Sequence, residues 1–131
     1  MTAGARIDDQ SLVNRLLASY RTQLSWYTEL GETARKALSI VVLSRGDLSG
    51  AMELFERKQG LLDKIVDERG RMEGLIEQWQ RRKSEIGPSP ERAELDDVLG
   101  RTEQAIRGFL DGEEQLKRYV RRAVSKNEAE S

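Results

Sequence analysis

Proline occurs at only two positions in this chain of 131 residues, Pro88 and Pro90, and leaves long proline-free stretches on either side. A proline inside a helix removes a backbone hydrogen bond and clashes with the preceding turn, so these stretches are free to form long helices. Apolar residues recur within them in alternating steps of three and four, which is the period of a helix that buries one stripe. The pattern predicts an all-α fold of three long amphipathic helices.

We predict the first helix over about residues 8–44. Asp8 is suited to cap it, because an aspartate at this position accepts hydrogen bonds from backbone N–H groups of the first turn. Leu16 and Leu30 widen the stripe on one side, which is typical of a bundle helix with more than one neighbour. The stripe itself consists of Val13, Leu17, Tyr20, Leu24, Tyr27, Gly31, Ala34, Leu38 and Val41.

A short turn separates this helix from the second one, which we predict over about residues 47–85. Gly46 suits the left-handed residue that ends a helix, and Asp47 suits the cap of the next one. So short a connection returns the chain antiparallel and predicts a helical hairpin. Lys58 and Arg69 interrupt the apolar stripe of the second helix. We expect their stems to pack and their charges to reach water, although a role in selecting a partner is the alternative.

The segment around the two prolines begins the third helix, which we predict over about residues 89–126. Ser89 is placed to cap it, with Pro90 at the first helical position. Thr102 and Glu113 are polar interruptions of its stripe, and three glycines within it each cost a helix about 1 kcal/mol relative to alanine. We therefore expect the third helix to be the least firmly held part of a single coiled-coil-like bundle of residues 1–131. The glycines are Gly100, Gly108 and Gly112.

The composition argues against catalysis and against nucleic-acid binding. The chain has no His and no Cys, so the commonest general base, the commonest metal ligand and the strongest nucleophile are missing. We expect no catalytic residue, no metal site and no cofactor. Lys and Arg number 22 against 23 Asp and Glu, and this near-neutral balance lacks the basic surface of a nucleic-acid binder.

The same composition predicts a cytoplasmic location. The absence of Cys fits a reducing compartment. No apolar run reaches the length of about 18 residues that suggests a membrane-spanning helix, so we expect no membrane insertion. Residues 1–7 lack the basic region and apolar stretch of a secretory signal.

Basic residues gather near the end of the third helix, at Lys117, Arg118, Arg121 and Arg122. Cations near a helix carboxyl end are stabilised by its dipole, which is one explanation for them. Docking to an acidic partner is the other. Trp26 raises a similar alternative, because it lies off the first stripe and is either packed by the third helix or part of a binding surface.

The turn and the second helix resemble those of the FlgN family of flagellar export chaperones. The residues that carry this resemblance are Leu43-Ser44-Arg45-Gly46-Asp47-Leu48 and the run Leu54-Phe55-Glu56-Arg57-Lys58-Gln59-Gly60-Leu61-Leu62-Asp63-Lys64-Ile65. Members of this family have a long first helix, a short turn near a Gly-Asp pair, and a second helix rich in Leu and Lys. The resemblance extends from about Ser11 to Arg121.

The resemblance implies a function. Chaperones of this family bind the C-terminal helical segments of hook-filament junction proteins in the cytosol, prevent their early assembly and deliver them to the export gate. Related chaperones dock on the gate through a tyrosine near the C-terminus. Tyr119 is the matching residue, together with its basic neighbours Lys117, Arg118, Arg121 and Arg122, and core packing is the alternative role for its ring.

Five apolar residues are our candidates for binding such a client helix. A wide stripe on the first helix and a weaker third helix behind a Pro-containing hinge suggest that the client packs along these two helices, as in helix-in-groove recognition. The candidates are Leu16, Trp26, Leu30, Phe109 and Leu116. The alternative function is a coiled-coil structural or adaptor protein that forms a homodimer or larger homo-oligomer and has no client.

Overall fold

The structure is a computed structural model that describes the backbone of residues 7–130 and the side chains of residues 7–126. Residues 1–6 lie outside this description. They make up most of residues 1–7, the segment for which we predict no secretory signal. Three long α-helices follow one another, which confirms the all-α prediction: α1 is Asp9–Leu43, α2 is Met52–Arg82 and α3 is Pro90–Glu130. Asp8 caps α1 as predicted, since its carboxylate accepts from the Ser11 N–H at 2.9 Å.

The turn after α1 differs in detail from the prediction. Gly46 has the expected left-handed conformation with a φ of 97°, and Arg45 precedes it with a φ of 58°. Asp47, however, does not cap α2. Its carboxylate accepts from the backbone N–H and hydroxyl of Ser49, which begins a short 3₁₀ turn, Ser49–Ala51, ahead of α2. The second helix is therefore shorter at both ends than the predicted range of 47–85.

Polar contacts between α1 and α2 establish that they form an antiparallel hairpin, as predicted. Ser19 of α1 donates to Glu68 of α2 at 2.6 Å, and Gln23 donates to the Ser19 hydroxyl at 3.1 Å. Ion pairs extend this register towards both ends of the hairpin, joining Asp9 to Arg82 and Glu29 to Arg57.

The connection to α3 is built around Ser89 and Arg92. The Ser89 hydroxyl accepts from the Arg92 N–H at 3.0 Å, which confirms the predicted cap. The Arg92 guanidinium turns back to donate to the carbonyls of Lys83 and Ile86, at 2.9 and 3.0 Å, and lies 4.6 Å from the centre of the Trp79 ring. One side chain thus binds the end of α2 to the start of α3.

The third helix runs parallel to α1 and continues to Glu130, four residues beyond the predicted end at 126. Gly112 lies beside Ala34, and Ala123 reaches the turn at Gly46. The packing of α3 on α1 is more extensive than that of α2 on α1, which argues against our expectation of a loosely held third helix.

The two polar interruptions of the third stripe explain part of this result. The hydroxyl of Thr102 donates to the Val98 carbonyl at 2.7 Å within its own helix. The carboxylate of Glu113 accepts from Lys58 of α2. Each polar group thus finds a partner inside the bundle, and neither opens the packing.

The core lies along α1, which contacts both other helices. It has three apolar clusters, centred on Leu16, Leu30 and Ala37, and each cluster includes residues of α2 or the 3₁₀ turn together with residues of α3. Among the described residues, no Cα atom of α2 lies within 8 Å of a Cα atom of α3, whereas α1 has such neighbours in both. The bundle is therefore widest between α2 and α3. None of the three helices, over the part of the chain that is described, is apolar enough along its length to span a membrane.

Candidate functional site

Four of the five residues predicted to bind a client are core residues. Leu16, Leu30, Phe109 and Leu116 are all buried among the three helices. They cannot contact a partner while the bundle keeps this arrangement, because α3 already covers this side of α1. Trp26 is half-buried and packs against the cluster of Tyr27, Leu30 and Leu61, so it is neither fully enclosed nor free. The predicted set does not form one accessible surface.

The residues predicted to dock on an export gate are placed differently. Lys117, Arg118, Arg121 and Arg122 are exposed, and Arg118 pairs with Glu114 at 3.3 Å. Tyr119 is half-buried, packs against the third core cluster, and donates from its hydroxyl to the Val42 carbonyl at 3.3 Å. The ring of Tyr119 therefore has the packing role that was the alternative, while its edge stays accessible beside exposed cations.

The wide side of the bundle, between α2 and α3, presents an apolar surface that the prediction missed. Lys58 of α2 and Glu113 of α3 bond across this side and identify the residues that share it, because positions three, four or seven apart lie on one helix face. Val66 is 68% exposed and Leu110 is 56% exposed, and both lie beside half-buried apolar residues of the same two helices. We call this surface the α2–α3 face. It consists of Phe55, Leu62, Val66, Leu99, Ile106 and Leu110.

A largely buried ion pair lies beneath the α2–α3 face, between α2 and α3. The Lys58 ammonium donates to both Glu113 oxygens, at 2.7 and 2.9 Å, and lies 5.1 Å from the centre of the Phe55 ring. Our expectation that the Lys58 charge would reach water is wrong, because the side chain is buried and its charge is matched by Glu113. This buried ion pair is therefore a polar contact within the otherwise apolar α2–α3 face.

Arg69 supplies an exposed positive charge near the same side. It is solvent-exposed, and so behaves as predicted, and it lies close enough to Tyr20 of α1 to influence its ionisation. Burial raises the pKa of the Tyr20 phenol, and the charge of Arg69 acts against that rise. The half-buried phenol and the guanidinium are polar groups that a bound segment could contact.

A second, more polar groove runs along α1 and α3 on another side of the bundle. It has a volume of about 370 Å³, and Gly31 of α1 and Gly108 of α3 are among the residues that line it. Arg35 and Arg101 line it, and Arg101 is 3.9 Å from Asp97. No group of three or more acidic residues within the described chain is arranged to hold a metal ion.

The spacing of apolar residues that forms the α2–α3 face is present in the sequence. Phe55, Leu62 and the exposed Arg69 follow one another at intervals of seven residues on α2, as Leu99, Ile106 and Glu113 do on α3. Such spacing places residues on one face but cannot tell whether a third helix covers that face. Comparison with protein-family models, with curated proteins and with solved structures found no match to this chain.

Proposed function

We propose that this protein binds an amphipathic helix of a partner protein at the α2–α3 face, and that it acts as an export chaperone rather than as an enzyme. The observation that carries the proposal is the arrangement of the helices. Both α2 and α3 pack on α1 but stay apart from each other, and the side chains between them are apolar and partly exposed. A fourth helix laid over this side would complete a four-helix bundle.

The dimensions of the face suit a short helical segment. Measured from the Lys58–Glu113 pair, Phe55 lies three residues away in one direction and Leu99 fourteen residues away in the other, which corresponds to about 25 Å along the bundle. About five turns of a partner helix would cover this length. The exposed guanidinium of Arg69 favours an acidic residue at one end of the partner's apolar stripe, since rim charges contribute mainly to orientation and specificity.

The resemblance to the FlgN family supports a particular class of partner. It implies C-terminal helical segments of hook-filament junction proteins as clients and a cytosolic site of action. It also implies docking on an export gate, for which Tyr119 and the cations Lys117, Arg118, Arg121 and Arg122 are the proposed residues. The gate surface and the client surface would then lie at different places on the bundle, so that a loaded chaperone could dock.

The test of client binding is a calorimetric titration with C-terminal fragments of junction proteins from the same organism. Val66→Asp and Leu110→Asp place charges in the proposed contact without disturbing the core, because both side chains are exposed. Each change should weaken binding by at least about tenfold, as expected when a central apolar anchor is lost. Leu43→Asp is the matched control, since Leu43 is equally apolar, is exposed and lies away from the face.

The binding heat should also depend on temperature. Burial of apolar surface together with folding of the fragment produces a large negative heat-capacity change. If no fragment binds at high micromolar concentration, the chaperone proposal fails. If fragments bind equally well to the Val66 and Leu110 variants, binding is real but the α2–α3 face is not the site.

The alternative function is a homo-oligomeric structural or adaptor protein without a client. The exposed Val66 and Leu110 also favour this reading, because a second copy of the chain could cover them. In that case the protein should sediment as a stable dimer and have no affinity for the fragments. Val66→Asp and Leu110→Asp should then convert the dimer into monomers.

A further inference from the structure

The end of the bundle that carries the α1–α2 turn has an exposed apolar cluster. Leu43, the last residue of α1, is 83% exposed, and Met52, the first residue of α2, is 51% exposed. Val42 and Leu48 are also exposed around the same turn. These side chains lie at a helix end and a turn, and the exposed residues Val66 and Leu110 of the α2–α3 face lie farther along the bundle. We call this group the turn cluster.

Basic residues of α3 reach the same end. Gly46 in the turn lies beside Ala123, so the segment of α3 around Ala123 runs past the turn cluster. From Gln115 to Lys126 the sequence has five cations and no acid: Lys117, Arg118, Arg121, Arg122 and Lys126. Arg118 is the only one with an ion pair among the described side chains, to Glu114, and that pair is exposed.

Acids near the turn reduce this positive charge but are outnumbered by the cations. They are Asp47 and Glu53. The hydrogen bond from the Ser49 N–H lowers the pKa of Asp47, so this acid contributes a negative charge at neutral pH. Glu128 and Glu130 follow the cationic segment in sequence. Arg45 in the turn adds a further exposed cation.

We propose that this end of the protein, the turn cluster with the adjoining cations of α3, binds the surface of an anionic phospholipid membrane. Apolar side chains that project outward can enter the boundary between headgroups and acyl chains. A cluster of four to eight Lys or Arg residues on an amphipathic helix is the usual recognition element for acidic lipid headgroups. The turn cluster lies at the end of the bundle, where Val42 and Leu43 also line shallow grooves.

Membrane binding of this kind is peripheral and is distinct from client binding. No helix of the described chain enters the bilayer along its length, and only the side chains at the turn and the cations of α3 take part. The proposal does not depend on client binding, because neither Val66 nor Leu110 is near the turn. It gives the α3 cations that were proposed to dock on an export gate a second role at the membrane surface. It would bring the protein to a membrane without another protein.

Co-sedimentation with vesicles tests the proposal. The full chain is mixed with vesicles of phosphatidylcholine alone, or of phosphatidylcholine with an equal amount of phosphatidylglycerol. We expect binding to the anionic vesicles at low salt, release as salt screens the charges, and little binding to the neutral vesicles. Failure to sediment with anionic vesicles at low salt would overturn the proposal and leave this end to a protein partner. Equal binding to both vesicle types would overturn the role of the cations.

Paired variants locate the binding end. Arg121→Gln with Arg122→Gln should lower the partition onto anionic vesicles about thirtyfold, from the loss of two surface cations. Arg81→Gln with Lys83→Gln removes the same charge from exposed positions at the opposite end and should have little effect. Leu43→Ser should lower the partition about tenfold, whereas Val66→Ser, a similar change on the α2–α3 face, should not. Equal loss in both members of either pair would contradict the assignment.

Discussion

Lys58 on α2 and Glu113 on α3 form a two-point ion pair across the widest part of the bundle, with both nitrogen–oxygen distances below 3 Å. Only 10% of the Lys58 side chain and 23% of the Glu113 side chain remain exposed. The pair therefore connects two helices whose backbones do not approach each other. It also fixes the register of α2 against α3, because a shift of either helix would leave a charge without its partner.

Removal of one member of this pair should destabilise the protein more than removal of both. Lys58→Met leaves the Glu113 carboxylate partly buried and unpaired, so we expect a loss of about 1–3 kcal/mol in the free energy of unfolding. Combining it with Glu113→Leu should recover much of that loss. Urea unfolding of the two single variants and the double variant measures the coupling energy. Strictly additive effects would contradict a direct interaction.

Glu68 should make the stability of the α1–α2 hairpin depend on pH. The hydrogen bond from Ser19 lowers the pKa of the Glu68 carboxyl below its usual value of 4.5, and burial only partly opposes this effect. Because the folded-state pKa lies below that of the unfolded chain, the stabilisation is fully present above about pH 4.5 and is lost as pH falls through the folded-state value.

Glu68→Gln should therefore flatten the acid side of the stability curve. The free energy of unfolding, measured by urea titration from neutral pH to about pH 3, should fall less steeply in the variant than in the wild type. Asp8 and Asp47, whose pKa values are also lowered by hydrogen bonds, should account for part of the remaining slope. An unchanged slope would show that Glu68 has the same pKa in the folded and unfolded chain.

Two glycines should respond in opposite ways to replacement by alanine. At Gly100 a Cβ atom would meet nothing within 4 Å, so Gly100→Ala should stabilise α3 by about 0.5–1 kcal/mol. At Gly46 the backbone is left-handed, with a φ of 97°, and a Cβ atom would lie 2.8 Å from that of Ala123. Gly46→Ala should thus lower the melting temperature while Gly100→Ala raises it. Thermal unfolding followed by circular dichroism compares them.

Two variants of Tyr119 distinguish a role of its side chain in core packing from a role in docking on the export gate. Tyr119→Ala should lower the free energy of unfolding by about 1–3 kcal/mol. Truncation of a fully buried aromatic residue costs about 3–5 kcal/mol, and the Tyr119 ring is only half-buried. Tyr119→Phe should leave stability within about 0.5 kcal/mol, since its hydroxyl bond to Val42 is long and peripheral. If the phenylalanine variant loses affinity for the export gate with an unchanged unfolding curve, the hydroxyl contributes to docking.

Hydrogen exchange distinguishes two modes of client binding. Binding at the α2–α3 face leaves the core closed, so amides of α3 near Phe109 should be protected before the client is added and change little afterwards. Binding to the buried residues Leu16, Leu30, Phe109 and Leu116 requires α3 to move away first. Fast exchange of α3 in the free protein, followed by strong protection with the client, would support that opening mechanism and exclude the closed one.

Local chemistry made the helices and their ends largely predictable from the sequence. Asp8, Gly46 and Ser89 have the expected capping or turn conformations, because these depend on side chains within a few residues of the helix end. Asp47 is the exception. Its carboxylate accepts a hydrogen bond from Ser49, which begins a 3₁₀ turn. The second helix therefore begins at Met52 and not directly after Asp47.

The partners of polar side chains required the tertiary structure. Ser19 and Gln23 of α1 are both buried polar residues. The Ser19 hydroxyl donates to Glu68 of a distant segment and accepts from the Gln23 side-chain amide, a chain of contacts that the sequence alone does not reveal. Glu113 was predicted to mark a weak helix, but Lys58, fifty-five residues away, neutralises it. A periodic pattern gives the direction of each side chain about its own helix and carries no information about what lies opposite.

The sequence by itself thus determined that three amphipathic helices form and where two of them turn back, since hydrogen bonding within each helix and apolar periodicity are local properties. Only the tertiary structure decided that α1 is the central helix and that α2 and α3 stay apart. That choice depends on how side chains of all three helices fill space together. It buried Phe109 and Leu116, and it left Val66 and Leu110, which flank the stripes of their helices, exposed.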